Sequence, residues 1–243
     1  MNVLDSDGDF IEESPIQSTH PQYQDVSVIW SYLRVKKLMI ERGFFTEIDW
    51  QNNVNFESLS ESDFLREYAW VVLSSGMRGS VVKGLFGSFS RAFYDWKVPN
   101  LTGQKVQTAR RRALLVFHNE RKVDAIVYVI NIINDITFSV FKQFMATDPL
   151  TELRALPFIG PVTCFHLAKN IGVDIAKPDR HLSRLSMALG FNCVQELCNV
   201  ISSVTGDKPS VVDVILWRYA TITPDYLRKF VYLVESFNFD FSR

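Results

Sequence analysis

Basic residues do not outnumber acidic ones in this 243-residue chain: 26 lysines and arginines face 27 aspartates and glutamates, for a net charge of −1. Taken whole, that balance is wrong for a protein that grips nucleic acid by bulk charge. It averages two unlike parts, however. Residues 1–26 contain Asp5, Asp7, Asp9, Glu12, Glu13 and Asp25 with no lysine or arginine, a charge of −6 that leaves +5 for the remainder. The acidic stretch reads either as a flexible, solvated leader or as an arm that mimics DNA. Cysteine is scarce, with Cys164, Cys193 and Cys198 only, odd in number and without the close spacings of a zinc or iron–sulfur site, which points to structural or free thiols. No run of 18 or more uncharged apolar residues exists, and Met1 to Phe10 is acidic where a signal peptide would be basic and then apolar. The expected location is the cytoplasm, or the nucleoid or nucleus.

What is abundant is apolar residues, 47% against 22% charged, enough for a substantial core. They recur at helical spacing: Val28, Ile29, Tyr32, Leu33, Leu38 and Met39, then Phe64, Leu65, Tyr68, Val71 and Val72 behind a Ser60 cap. The stretch Val123 to Ile136 is rich in β-branched residues, yet a lone strand would have no partner, so it too is predicted helical. Gly43, Gly76, Gly79, Pro99, Gly103, Pro149, Gly172, Gly190, Gly206 and Pro209 punctuate these segments as an all-α fold requires.

Two motifs carry chemical information. In the first, Asp148 caps a helix opened by Pro149, which runs through Leu150, Leu153 and Leu156 into Pro157-Phe158-Ile159-Gly160-Pro161-Val162-Thr163. A second helix is predicted over 161–171. Gly160 lets the backbone approach a ligand, and the N–H groups and dipole of the new helix favour an anion such as a DNA phosphate. The same residues would also make an ordinary helical corner. In the second motif, the connection from Val173 to Pro178 delivers Asp179 to the start of a helix over 180–189, ended by Gly190. Asp179 is there either a plain helix cap or a carboxylate placed for chemistry.

Together these residues resemble a family. Leu156 to Thr163, followed by Pro-Asp-Arg-His-Leu-Ser-Arg-Leu at 178–185, is similar to the helix-hairpin-helix, Gly/Pro-rich loop and aspartate signature of the DNA glycosylase superfamily that includes endonuclease III-like and 3-methyladenine glycosylases. Asp179, His181, Arg184 and Leu185 match its Asp and His-x-x-Arg-Leu pattern. Glu67 to Met77 resembles its early helix, and Asp213 to Trp217 its C-terminal helix. The resemblance implies Asp179 as the catalytic carboxylate. It implies DNA contacts at Pro157, Phe158, Ile159, Gly160, Val162 and Thr163, and supporting roles for His181 and Arg184. Members that also nick the strand carry a Schiff-base lysine where this chain has Val162, and valine forms no imine. No lyase activity is therefore expected, with Lys169 and Lys177 the nearby amines to test. The resemblance implies no cofactor beyond a monovalent cation at the hairpin. The cysteine ligands of the iron–sulfur members are absent. Phe158 occupies the first glycine position of the hairpin, where only a negative φ would be unstrained.

Arg110, Arg111 and Arg112 are candidate phosphate contacts, though three adjacent helical arginines cannot face one way and a solvated surface explains them equally. Trp70, Trp96 and Trp217 are candidate base-stacking partners among aromatics that are mostly core.

The expected fold is all-α and two-lobed, glycosylase-like, with a cleft between lobes. Residues 1–26 form the acidic tail, 27–59 plus 172–243 the lobe carrying Asp179, and 60–171 a helical barrel ending in the hairpin. The expected function is a monomeric monofunctional DNA glycosylase that excises a damaged or modified base from double-stranded DNA, with no membrane partner. Such an enzyme would serve either host repair or removal of modified bases from foreign DNA. The alternative is a helix-hairpin-helix module that binds DNA without catalysis.

Overall fold

The computed structural model describes residues 23–240 and is helical throughout, with no strand among the described residues. Thirteen α-helices follow in order: α1 (Tyr23–Glu41), α2 (Phe45–Asn53), α3 (Glu61–Ser74), α4 (Gly79–Ala92), α5 (Gly103–Val116), α6 (Glu120–Ile136), α7 (Phe138–Thr147), α8 (Pro149–Arg154), α9 (Thr163–Asn170), α10 (Arg180–Ala188), α11 (Val194–Thr205), α12 (Pro209–Ile222) and α13 (Tyr226–Asp240). Two short 3-10 turns join α4 to α5. Because α1 starts at Tyr23, the last residues assigned to the acidic tail, Tyr23 to Val26, are helical; residues 1–22 lie outside the described residues.

Local chemistry explains the boundaries. Ser60 caps α3 by accepting from the Asp63 N–H at 3.1 Å, Asn119 caps α6 through Lys122, and Asp148 caps α8 through Thr151 with Pro149 in the first turn. The β-branched α6 is a helix because Val123, Ile126, Val127, Ile130 and Ile133 fall on one buried face. The end of α3 is closed by a buried lysine, Lys122, whose ammonium donates to the carbonyls of Leu73 (3.0 Å) and Ser75 (2.6 Å). The three cysteines are all thiols, with Cys164 and Cys198 buried.

The buried apolar residues divide into two clusters. One, centred on Phe64, Phe89 and Ile126, is built by residues from Phe64 to Ile171. The other, centred on Tyr32, Met39, Leu216 and Phe230, takes residues from Val28 to Ile48 and from Ala176 to Val234. The chain thus passes out of the second cluster after α2 and back into it after α9. The two crossings touch at Gly172, where a Cβ would come within 2.4 Å of the Phe56 nitrogen, and whose φ of +90° suits glycine. No single described helix is long and apolar enough to cross a membrane.

Candidate active site

A cavity of about 660 Å³ is lined from both clusters, by α2 and α12 on one side and α3, α4 and α9 on the other. Aromatic rings supply one set of walls: Trp50, Trp70, Phe86 and Trp217. Trp70 and Phe86 meet edge to face at 5.0 Å, which fixes both rings. At the rim Arg218 lies 4.8 Å from the Trp217 ring centre and grips Glu47 with two nitrogens, at 3.0 and 2.6 Å. Polar groups supply the remaining wall: Glu67, His166, Lys169, Asn170, Lys177, Asp179 and Asp213.

Asp179 arrives there on a connection pinned at almost every step. Asp174 accepts from the Ser210 N–H (3.2 Å) and hydroxyl (3.1 Å), the Ala176 N–H donates to Gln195 Oε1 (2.9 Å), and the Lys177 N–H donates to Asp213 Oδ2 (2.6 Å). Asp179 then caps α10, its Oδ1 accepting from the His181 (2.8 Å) and Leu182 (3.0 Å) N–H groups. Both bonds fall on Oδ1, so the carboxylate caps a helix and lines the cavity at once. Asp213, almost wholly buried, also binds the ammonium of Lys169. One carboxylate on α12 therefore ties α9 to the loop that carries Asp179. Gln51 adds a bond to the Lys169 carbonyl at 3.1 Å.

Burial tunes three groups. The Glu67 carboxyl is raised above its ordinary range chiefly by desolvation, opposed by the Arg66 cation and by the Asn170 amide, which donates to it at 2.9 Å. His166 is pushed down to about 3 by burial and by the positive charges of Lys177 and Lys169, and so stays a neutral imidazole. The Lys177 amine is lowered by burial and by Lys169, against the opposing pull of Asp179 and Asp213.

The hairpin residues Phe158 to Thr163 form, with Ser75, a separate shallow recess. Tyr68 donates its hydroxyl to the Pro157 carbonyl at 2.9 Å and fixes the approach to the turn. Phe158 takes a positive φ of 63°, the strained alternative, and is 39% exposed. The second helix begins at Thr163 and ends at Asn170, shorter than the predicted 161–171, because Pro161 and Val162 remain in the turn. The Gly160 N–H is not available to an anion: it donates to Thr163 Oγ1 at 2.6 Å, and that hydroxyl bonds back to the Gly160 carbonyl at 3.3 Å. Space above Gly160 is nonetheless open, since a methyl group at its Cα would meet nothing closer than Thr163 Oγ1 at 3.8 Å. Val162 is half-exposed.

Other candidates fall elsewhere. Arg110, Arg111 and Arg112 line neither the cavity nor the recess. Arg110 pairs with Asp124 at 2.5 Å, Arg111 reaches Thr108 at 3.4 Å, and Arg112 lies 5.4 Å from the Tyr94 ring centre, so helix geometry sends them three ways. His181 supports Asp179 through its backbone N–H; its ring packs on Tyr226 at 5.3 Å, with Nδ1 buried and unpartnered. Arg184 is exposed, and it is not among the hydrogen-bond partners of Asp179. Trp70 and Trp217 reach the cavity, whereas Trp96 is core, stacked on Phe93. Sequence reasoning missed Trp50, Glu67, His166 and Asn170 as cavity walls; the signal for the last two was their spacing, three residues from Thr163 and four from His166, on a helix already singled out. Among the described residues no group of three or more His, Cys, Asp or Glu is placed to hold a metal ion. No protein-family model, curated protein or solved structure matches this chain.

Proposed function

We propose that this protein is a DNA glycosylase that rotates a modified base out of the duplex and hydrolyses its N-glycosidic bond, leaving an abasic site. The observation that carries this reading is Asp179: its Oδ1 is held by two backbone N–H groups while the same carboxylate borders an aromatic-walled cavity. A base inside a duplex cannot be attacked, so such an enzyme needs both a pocket for the extruded base and a grip on the backbone. The rings of Trp50, Trp70, Phe86 and Trp217 offer faces and edges for a flat ligand, and the Glu67 and Asn170 pair offers a donor and an acceptor for its edge.

Cleavage builds positive charge on the sugar as the base departs, the electronic problem that carboxylates solve in glycoside hydrolysis. Asp179 stabilises that cation and orients the attacking water. The two hydrophobic clusters support a two-lobed arrangement of this kind, in which the hairpin recess serves as the phosphate grip. With Gly160 N–H engaged, the grip relies on the remaining N–H groups at the start of α9.

The test is release of free bases, followed by mass spectrometry, from alkylated, deaminated, oxidised and phage-derived modified DNA. A base freed by wild type and not by Asp179→Asn supports the reading; equal release by both sinks it. DNA binding without release from any substrate favours the non-catalytic module.

A further inference from the structure

Helix α1 carries apolar residues on a face that the core does not use. Val26, Leu33 and Ile40 recur every seven residues and so share one stripe, and each is between 41% and 46% exposed. Beside that stripe α1 and α13 leave a groove. At one end Trp30 meets Phe237 at 5.1 Å; further along, two recesses of about 400 and 510 Å³ adjoin, with Tyr219 and Leu233 as shared walls. Cations edge both, Arg34 and Lys37 from α1 and Arg228 and Lys229 from α13. Glu41 faces Lys37 at 3.9 Å and Asp225 faces Arg228 at 3.7 Å, between exposed side chains, contacts too loose to fix either cation. The groove is therefore apolar along its floor and positive along its rim.

We propose that the acidic segment 5–13 of this same chain docks in the groove, its carboxylates against the four cations and Phe10 and Ile11 against Leu38, Tyr219 and Leu233. Composition supplies the match: Asp5, Asp7, Asp9, Glu12 and Glu13 surround the apolar pair Phe10-Ile11, with no lysine or arginine. Reach supplies the second argument. Arg34 lies about 16 Å along the helix from Tyr23, where α1 begins. The ten residues from Glu13 to Tyr23 span up to about 33 Å when extended, a conformation that Pro15 and Pro21 favour in the residues before them. Covalent attachment puts the segment at the groove at a local concentration on the order of millimolar, so weak exposed contacts suffice. A second copy of this face is a poorer occupant, because a two-fold contact would set the same cations against one another.

The test uses full-length protein, mixed from isotopically light and heavy batches and treated with a water-soluble carbodiimide, which joins a carboxylate to a lysine amine where the two touch. Peptide mapping should find Asp5 to Glu13 linked to Lys37 or Lys229 within one chain, several-fold above links to Lys83, Lys97 and Lys105, which are exposed on the other cluster. High salt should abolish the preference. Links spread evenly over all these lysines, or no link from the segment, overturn the proposal. Links joining heavy to light chains overturn it as well, since the occupant would then belong to a second copy. An independent reading comes from a glutamate-specific protease, whose cleavage after Glu12 and Glu13 requires the segment to leave the groove. Cleavage should be several-fold faster in Arg34→Glu/Lys229→Glu than in wild type and unchanged in Lys83→Glu/Lys105→Glu. All four positions are exposed, so the fold should tolerate both variants. Equal rates in wild type and both variants overturn the proposal.

Discussion

Removing the Asp213 carboxylate should do more damage than any other single polar change near the cavity. Asp213→Ala leaves the Lys169 ammonium, only 10% exposed, without its counter-ion and the Lys177 N–H without its acceptor. Breaking a buried ion pair by deleting one partner costs about 3–5 kcal/mol, and an orphaned buried donor about 1–3 kcal/mol. These overlap, so a total of about 4 kcal/mol is expected, a large part of the stability of an ordinary domain. Removing the charge from both partners while keeping an acceptor should be far milder, because neither ion must then be desolvated. The double variant Lys169→Met/Asp213→Asn is therefore expected within about 1–2 kcal/mol of wild type, with a favourable coupling between the two sites. Urea unfolding followed by far-UV circular dichroism reads the difference as a shift in midpoint at constant slope. A loss below about 1 kcal/mol for Asp213→Ala, or a double variant as unstable as that single one, would refute the reasoning. On the glycosylase reading, Asp213→Asn should also lower turnover more than substrate affinity, because the carboxylate holds the Asp179 connection.

His166 gives a pH dependence with a definite sign. Its unfolded imidazole takes up a proton below its ordinary 6.5, whereas the folded one does so only near 3, so stability falls as pH drops through that window, with a slope approaching about 1.4 kcal/mol per unit. His166→Gln should flatten the curve by that amount, and an unchanged slope would contradict the assignment. Glu67 runs the other way: its raised carboxyl makes the folded state bind a proton more readily, so its contribution declines as pH rises through that range. Glu67→Gln is expected to raise the melting temperature at neutral pH and leave it nearly unchanged in acid. Phe158→Gly relieves the positive φ at the hairpin and should stabilise the fold by about 1 kcal/mol. A lower melting temperature for that variant would mean the ring contributes more than the strain removes.

The helical character of the chain was legible throughout because it rests on local rules. Ser60, Asn119 and Asp148 cap helices through atoms three residues away, and α6 declares itself by period despite its β-branched composition. The hairpin turn and the carboxylate at the head of α10 were legible for the same reason, although the strain at Phe158 was visible only as a conflict between residue type and backbone. Arginines 110–112 diverge onto Asp124, Thr108 and the Tyr94 ring, as three consecutive helical positions must.

The walls of the cavity were not legible, since they come from segments far apart along the chain. Trp50 and Trp217 share a cavity with Trp70 and Phe86 only in the folded chain, and no periodicity in either segment distinguishes a ring in a cavity wall from one in the core, such as Trp96. That Lys169 and not Lys177 pairs its ammonium with Asp213 depends on a residue 36 positions beyond Lys177. By itself, then, the sequence determined the helices, their caps and the position of Asp179 at a helix start, because these follow from contacts within a few residues. Only the tertiary structure decided what Asp179 faces and how its neighbours are charged, because desolvation and ion pairing arise when distant segments exclude water together.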